Sequence, residues 1–185
     1  GVVDIRKPVG ENIRALAKAL GKPVDEIVVS VLNRPRHEKL IAEIRASGAG
    51  TRLMSDGDVA GGINAARHNA RTDMCIGIGG SPEGIVTACA IKALGGHIQG
   101  RMWPRDDAER QRGIDAGLKM DYVYEADELV KGNNTIFVAT GVTDGQLVSG
   151  VRRAGDWLYT ESVVLRGASG TLRRISSEHL TSKWL

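Results

Sequence analysis

Aromatic residues, long basic runs and long apolar runs are all scarce in this sequence. Phe, Trp and Tyr together make up 4% of the 185 residues, whereas sites for single-stranded nucleic acid usually need aromatic platforms. Lys and Arg never occur in runs longer than a pair, so no clustered basic stripe is present. No stretch of about 18 apolar residues marks a membrane span. Although the pI is about 9.0, we therefore expect neither nucleic acid nor a membrane as a partner.

Cysteine is also rare, and the two cysteines show no metal-site spacing. Cys75 and Cys89 lie in apolar segments without a CxxC pair or clustered histidines. This pattern favours two buried, reduced thiols in a cytoplasmic protein over a disulfide or a zinc site. The sequence has no secretory signal, and it begins at Gly1 without an initiator Met, so we expect a partial chain.

Glycine is abundant, with 24 residues, and much of it lies between apolar runs. These runs predict buried strands at residues 27–32, 51–54 and 74–78. Helical spacing predicts helices at residues 9–20, 37–48, 60–69 and 85–94. Successive strand–loop–helix units predict an α/β domain with a mostly parallel sheet, in which ligands bind beyond the carboxyl ends of the strands.

The pattern changes after about residue 96. Residues 106–116 predict a polar helix and residues 135–140 predict a strand. Alternation and glycine-containing turns in residues 151–175 predict antiparallel hairpins. We assign residues 1–24 to a connecting segment and helix, and residues 25–185 to one α/β domain.

The loop Gly79–Gly84 (GGSPEG) follows the third predicted strand. Ser81 and Pro82 suit an N-cap and a first helical position, which places Glu83 in the first turn. A carboxylate beside free backbone amides suits a cation and a phosphate together. A plain capped helix start with a structural Glu explains the motif equally well.

The sequence Asp56-Gly57-Asp58 follows the second predicted strand. Its two carboxylates have the chemistry to accept hydrogen bonds from sugar hydroxyls, to hold a divalent cation or to act as an acid/base pair. The alternative is a polar turn that caps the next helix.

The sequence Arg34-Pro35-Arg36 follows the first predicted strand. Two guanidinium forks separated by a stiff proline suit a phosphate monoester. The alternative is ion pairing with nearby acids such as Glu38 and Glu43.

A fourth loop, at residues 139–145, is the third glycine-rich strand exit; it contains Thr143 and Asp144, which either contact a ligand or form a turn. The four histidines have no metal-site spacing, and we expect each to lie in the core or on a helix surface: His37, His68, His97 and His179.

Six motifs occur in one order along the chain: RPRH, SDGDVAGGI, GIGGSPEG, ATGVTDG, TESVVLR and SGTLRR. In this combination the chain resembles the C-terminal portion of bacterial class II (GlpX-type) fructose-1,6-bisphosphatases. The resemblance implies the layered α/β sandwich of the lithium-sensitive sugar and inositol phosphatases, with C-terminal antiparallel hairpins. It also implies hydrolysis of the 1-phosphate of fructose 1,6-bisphosphate, giving fructose 6-phosphate and phosphate in gluconeogenesis, with Mg²⁺ or Mn²⁺.

The resemblance implies a role for each of the three loops. Glu83 is the implied metal ligand. The substrate-binding residues are Arg34, Pro35, Arg36, Asp56, Gly57, Asp58 and Gly80. The first loop receives the distal phosphate, the second contacts the sugar, and Gly80 contacts the substrate through its backbone.

The family's N-terminal part, which carries the remaining metal ligands, has no counterpart in this sequence. One carboxylate cannot assemble such a metal cluster, so we predict no catalytic residue in this chain and no activity of the 185 residues alone. The alternatives are activity on sedoheptulose 1,7-bisphosphate or an inositol phosphate, or a non-catalytic sugar-phosphate-binding module. We expect a homo-oligomer.

Overall fold

This computed structural model describes residues 1–68 and 70–183. The first part of the chain contains a three-stranded parallel sheet. Its strands are β1 (Val28–Leu32), β2 (Gly50–Met54) and β3 (Met74–Cys75), in the order β2-β1-β3. The central strand has the sequence VVSVL, and its last four residues are buried. A continuous apolar run of this kind is typical of a strand whose two faces are both covered.

Helices cover both faces of the parallel sheet. On one face, α1 (Val9–Leu20) and α2 (Glu38–Ala46) share a buried cluster with the inward-facing valines of β1. On the other face, α3 (Asp58–Ala66) packs against β1 and β3, and α4 (Ser81–Ala93) packs against α3. The sheet is therefore the second of several layers.

The next segment contains only short elements. They are β4 (Gln99–Gly100), α5 (Asp107–Asp115), β5 (Tyr124–Glu125) and α6 (Ala126–Leu129). The two strands pair antiparallel, and α6 packs against α4. The polar helix predicted for residues 106–116 corresponds to α5, whose N-cap Asp106 accepts a hydrogen bond from the Glu109 amide.

An antiparallel sheet forms the last layer. Its strands are β6 (Ile136–Thr140), β7 (Arg152–Ala154), β8 (Trp157–Arg166) and β9 (Thr171–Leu180). The long strand β8 pairs with β9 along one side and with β6 and β7 along the other. Apolar residues on the inner face of this sheet join residues of α3 and α4 in a second buried cluster. The order of layers is therefore helices, parallel sheet, helices and antiparallel sheet.

The prediction of an α/β fold with a parallel sheet and C-terminal antiparallel hairpins is confirmed. All pairs in the first sheet are parallel, and all pairs in the last layer are antiparallel. The strand predicted at residues 74–78 ends at Cys75. Beyond Ile76, whose amide still bonds to the Ser30 carbonyl, the chain leaves the ladder because the Ile78 amide bonds to the His37 side chain instead.

The structure also changes the bounds of a predicted helix. The helix predicted at residues 60–69 begins earlier and ends at Ala66; its predicted last residue, Asn69, lies outside the described residues. The predicted boundary at residue 24 stays a prediction, and α1 shares one core with the domain that follows it. Across residues 1–68 and 70–183, none of the helices is long and apolar enough to cross a membrane.

Candidate functional site

The loops after β1, β2 and β3 lie together at one edge of the parallel sheet. The first loop contacts the second through Arg34, whose Nη2 lies 2.5 Å from Asp56 Oδ1. It contacts the third through Arg36, whose Nε donates a hydrogen bond of 2.9 Å to the Ile78 carbonyl. Because parallel strands present their carboxyl ends at the same edge, this convergence follows from the sheet topology.

The second and third loops also touch each other. The point at which a Cβ on Gly79 would lie is 2.8 Å from Asp58 Oδ2, so the absence of a side chain there admits the carboxylate. Asp58 begins α3, and Gly57 before it has a φ of 82°, a conformation that favours glycine. The helix sits close to the sheet at Gly61, where a Cβ would be 2.6 Å from the Met54 side chain.

Glu83 lies in the first turn of α4 with an exposed side chain. Its carboxylate folds back over Gly80, where a Cβ would overlap Glu83 Oε2. The N-cap of α4 is Gly80 rather than Ser81, which is already helical and makes no capping hydrogen bond through its side chain. The predicted cap is therefore wrong by one residue. Because glycine has no side chain, Gly80 leaves room for the Glu83 carboxylate.

The first loop, residues 34–37, is called the arginine loop below, and local geometry orients it. Pro35 begins a short 3-10 turn, Pro35–His37, that leads directly into α2. Among the ion pairs of the described residues, Arg34 pairs with Asp56, while Glu43 lies 3.9 Å from Lys39. The alternative pairing of these arginines with Glu38 or Glu43 is thus not found. Arg36 uses its Nε for the Ile78 carbonyl, which leaves its terminal nitrogens for another acceptor.

His37 connects two of the loops, a role that the sequence prediction did not include. The ring is fully buried. Its Nδ1 lies 2.9 Å from the Leu32 carbonyl, and its Nε2 accepts a hydrogen bond of 2.8 Å from the Ile78 amide. The sequence did contain one signal for this role: His37 directly follows the two arginines, where an imidazole can reach the exit of the neighbouring strand.

The fourth loop is held by its own contacts. Asp144 Oδ1 accepts a hydrogen bond of 2.8 Å from the Gly150 amide, which favours the turn role over ligand contact. Glu161 accepts hydrogen bonds from the Ser149 amide at 2.6 Å and from Arg174 at 2.9 Å. These contacts, the backbone amide first, hold the pKa of Glu161 below its ordinary value.

The two cysteines are free thiols, and both are partly buried. Cys75 is the last residue of β3, the strand that leads into the third loop. Burial raises the pKa of its thiol above the ordinary value; a hydrogen bond with Ser30 opposes this shift, and the nearby charge of Asp58 adds to it. In the neutral form the thiol serves as a small apolar side chain.

The carboxylates at this edge suit a hard divalent cation only in part. Glu83 is exposed, and within the described ranges it forms no ion pair. Carboxylate oxygens are the donors that Mg²⁺ and Mn²⁺ prefer. Residues 1–68 and 70–183 contain no group of three or more His, Cys, Asp or Glu side chains positioned to hold a metal ion. The donors here therefore fit one part of a metal site.

Comparison with known proteins identifies the family. The model of the bacterial, glpX-encoded fructose-1,6-bisphosphatases matches residues 1–179. This chain belongs to that family. It is 38% identical over 192 residues to the fructose-1,6-bisphosphatase class 2 of Haemophilus influenzae and to fructose-1,6-bisphosphatase 1 class 2 of Escherichia coli K12. The resemblance inferred from the six ordered motifs is thus confirmed.

The matches cover nearly all of this chain but only part of its relatives. They span 97% of the chain, 58% of the Haemophilus protein and 57% of the Escherichia protein. The chain therefore spans less than three fifths of the length of these relatives. What the whole relative does is a proposal for this chain.

Proposed function

We propose that this chain forms the substrate-holding part of a metal-dependent fructose-1,6-bisphosphatase, which removes the 1-phosphate of fructose 1,6-bisphosphate and releases fructose 6-phosphate. The convergence of three strand exits supports this proposal most directly. Each pair of loops is in contact, so guanidinium groups, carboxylates and a glycine-rich turn lie close together at this edge of the sheet. A doubly phosphorylated sugar carries complementary groups: two phosphates and several hydroxyls.

The arginine loop is proposed to hold the distal phosphate. Arg34 and Arg36 supply planar donors that match phosphate oxygens, and Pro35 stiffens the backbone between them. The carboxylates of Asp56 and Asp58 accept hydrogen bonds from sugar hydroxyls, with Gly57 shaping the turn that presents them. This grip on the far end of the substrate places the reacting phosphate, which is how remote binding energy serves catalysis.

The third loop, residues 79–84, is called the glycine turn below and is proposed to hold the reacting end. Gly80 presents its backbone to the substrate, and Glu83 binds a divalent cation as one ligand of a larger site. A bound cation of this kind neutralises charge on a transferring phosphoryl group and lowers the pKa of bound water. The remaining ligands come from outside these residues, so we propose that this chain alone is inactive. Mg²⁺ and Mn²⁺ both suit the carboxylate.

A Glu83→Gln substitution in the gene product that contains this chain tests the proposal. Phosphate release from fructose 1,6-bisphosphate should fall about a hundredfold or more, because loss of a metal ligand removes several kcal/mol of charge stabilisation. Glu11→Gln is the matched control, since Glu11 is also exposed in the first turn of a helix, α1. Retained turnover in Glu83→Gln would remove Glu83 from the metal site.

Substrate comparison with the same gene product separates the alternatives. A higher kcat/KM for sedoheptulose 1,7-bisphosphate or an inositol phosphate would change the proposed substrate. Metal-independent binding of fructose 6-phosphate without hydrolysis of any of these would instead indicate a sugar-phosphate-binding module.

We also propose the lithium-sensitive sugar and inositol phosphatase sandwich as the fold, which the alternation of helical and sheet layers supports. Assembly as a homo-oligomer and a cytoplasmic location remain proposals, as does a single domain over residues 25–185. Sedimentation analysis of the gene product would test whether it assembles as a homo-oligomer.

A further inference from the structure

We propose that His37 is a positioning residue that fixes the glycine turn of the candidate site relative to the arginine loop. This inference deepens the proposed function and depends on it for its kinetic part. The hydrogen bonds of the His37 imidazole go to Leu32 and Ile78 and not to the side chains assigned to substrate or metal. It acts through Ile78, which immediately precedes the two glycines of the turn.

Both main-chain polar groups of Ile78 are held by neighbouring residues of the first loop. Its carbonyl accepts a hydrogen bond of 2.9 Å from Arg36 Nε, and its amide donates one of 2.8 Å to His37 Nε2. The chain has already left the parallel ladder at this point. Side chains of the arginine loop therefore replace the strand pairing that would otherwise fix the turn.

The ring is itself fixed at its other nitrogen. A carbonyl oxygen only accepts, so Nδ1 donates to the Leu32 carbonyl at 2.9 Å; an amide only donates, so Nε2 accepts from Ile78. The tautomer with its proton on Nδ1 satisfies both contacts. The last residue of β1 is thereby connected through one buried side chain to the turn after β3.

Close packing adds a steric constraint to the two hydrogen bonds. A Cβ on Gly77 would lie 3.2 Å from His37 Cε1 and 3.3 Å from Nε2, closer than most side chains approach. Glycine at position 77 therefore lets the imidazole pack against the backbone that it supports. The ring is fully buried and both of its nitrogens have hydrogen-bond partners, so it has little freedom to move. It therefore holds Ile78, the residue that precedes the glycines of the turn.

Two partial replacements of His37 separate positioning from general stability. His37→Gln keeps an acceptor near the position of Nε2, and His37→Asn keeps a donor near that of Nδ1. His37→Phe fills the space with neither. Ile44→Ala is the control for stability, because Ile44 is fully buried in the first core cluster and belongs to neither loop.

Amide hydrogen exchange of Ile78 in the gene product gives a readout that needs no activity. We expect exchange to be about 10- to 100-fold faster in His37→Phe and His37→Asn, because a buried donor has lost its acceptor. His37→Gln should stay close to wild type, as should Ile44→Ala measured well below its melting temperature. Unchanged Ile78 protection in His37→Phe would overturn the proposal.

The kinetic readout is the metal concentration for half-maximal hydrolysis of fructose 1,6-bisphosphate. In His37→Phe it should rise about tenfold, with partial rescue in His37→Gln and a smaller rise in Gly77→Ala. A rise in Ile44→Ala equal to that in His37→Phe would show a stability effect only and would overturn the positioning role. If the wild-type protein hydrolyses no bisphosphate, the proposed function fails, and the exchange of Ile78 still decides whether His37 holds the turn.

Discussion

Removal of the Arg36 guanidinium should weaken binding of the distal phosphate. Arg36 is exposed, and its Nε is committed to the Ile78 carbonyl while its terminal nitrogens remain for a ligand. A hydrogen bond between charged groups contributes about 1.5–3 kcal/mol. Because Arg36 is exposed and Arg34 remains, we expect the lower end of this range in Arg36→Ala, which corresponds to a rise of about tenfold in KM.

The assay is the initial rate of phosphate release from fructose 1,6-bisphosphate at saturating metal, with KM and kcat determined separately. Inhibition by two monophosphates adds resolution. Fructose 6-phosphate carries the distal phosphate, so its inhibition constant should rise by the same factor as KM. Fructose 1-phosphate lacks that group, so its inhibition constant should rise by a smaller factor, which reports only the loss of the Arg36 hydrogen bond to the Ile78 carbonyl.

Two further variants complete the test. Arg45→Ala removes the same charge from an exposed position at the end of α2, so it reports the long-range electrostatic contribution alone. Arg36→Lys keeps the charge but loses the planar fork, and its KM should lie between those of wild type and Arg36→Ala. An unchanged KM in Arg36→Ala, or an equal rise in Arg45→Ala, would refute the assignment of Arg36 to the phosphate.

Three further predictions follow from contacts in and around the site. Gly80→Ala should leave the melting temperature nearly unchanged but raise the metal concentration needed for half-maximal activity, because the new Cβ displaces the flexible Glu83 carboxylate. Gly84→Ala is its control: a Cβ there meets open space, so the substitution should be neutral or stabilising. Glu161→Gln should lower the melting temperature at pH 7. Because the pKa of Glu161 is lowered in the folded protein, the difference in melting temperature between wild type and variant should be present above the unfolded-state pKa of about 4.3. It should be lost as the pH falls through the lower folded-state pKa. Iodoacetamide should label Cys75 at pH 8 at least about tenfold more slowly than glutathione, because burial raises the pKa of its thiol; equal rates would contradict that environment.

The sequence contained most of what determines where the three loops lie. A continuous apolar run predicts the central strand, and parallel strand–loop–helix units require their carboxyl ends to share an edge. The contact between Arg34 and Asp56 thus joins residues far apart in sequence without any further signal. Chain order and hydrophobic pattern were sufficient for this part of the site.

Details set by single side chains were not predictable in the same way. The third strand ends early because His37 takes the Ile78 amide, a long-range hydrogen bond that periodicity does not encode. The helix after it begins at Ser81, four residues before the bound predicted from apolar spacing and one before the start that the Ser81–Pro82 cap pattern indicates. Gly80 serves as its N-cap, and the Glu83 carboxylate occupies the space that a side chain at position 80 would need. Both differences arise where tertiary contacts override local preference, and both lie within the candidate site.

The ion pair between Arg34 and Asp56 joins two side chains with different proposed partners: the distal phosphate for Arg34 and a sugar hydroxyl for Asp56. Both side chains retain considerable exposure, 39% for Arg34 and 83% for Asp56, and an exposed pair of this kind is worth only about 0–1 kcal/mol. A phosphate dianion offers the guanidinium stronger, bidentate hydrogen bonds. If Arg34 binds the distal phosphate as proposed, exchange of Asp56 for phosphate costs little, and it frees the Asp56 carboxylate for a sugar hydroxyl. The pair holds both side chains near their proposed binding positions before the ligand binds, which reduces the ordering cost of binding.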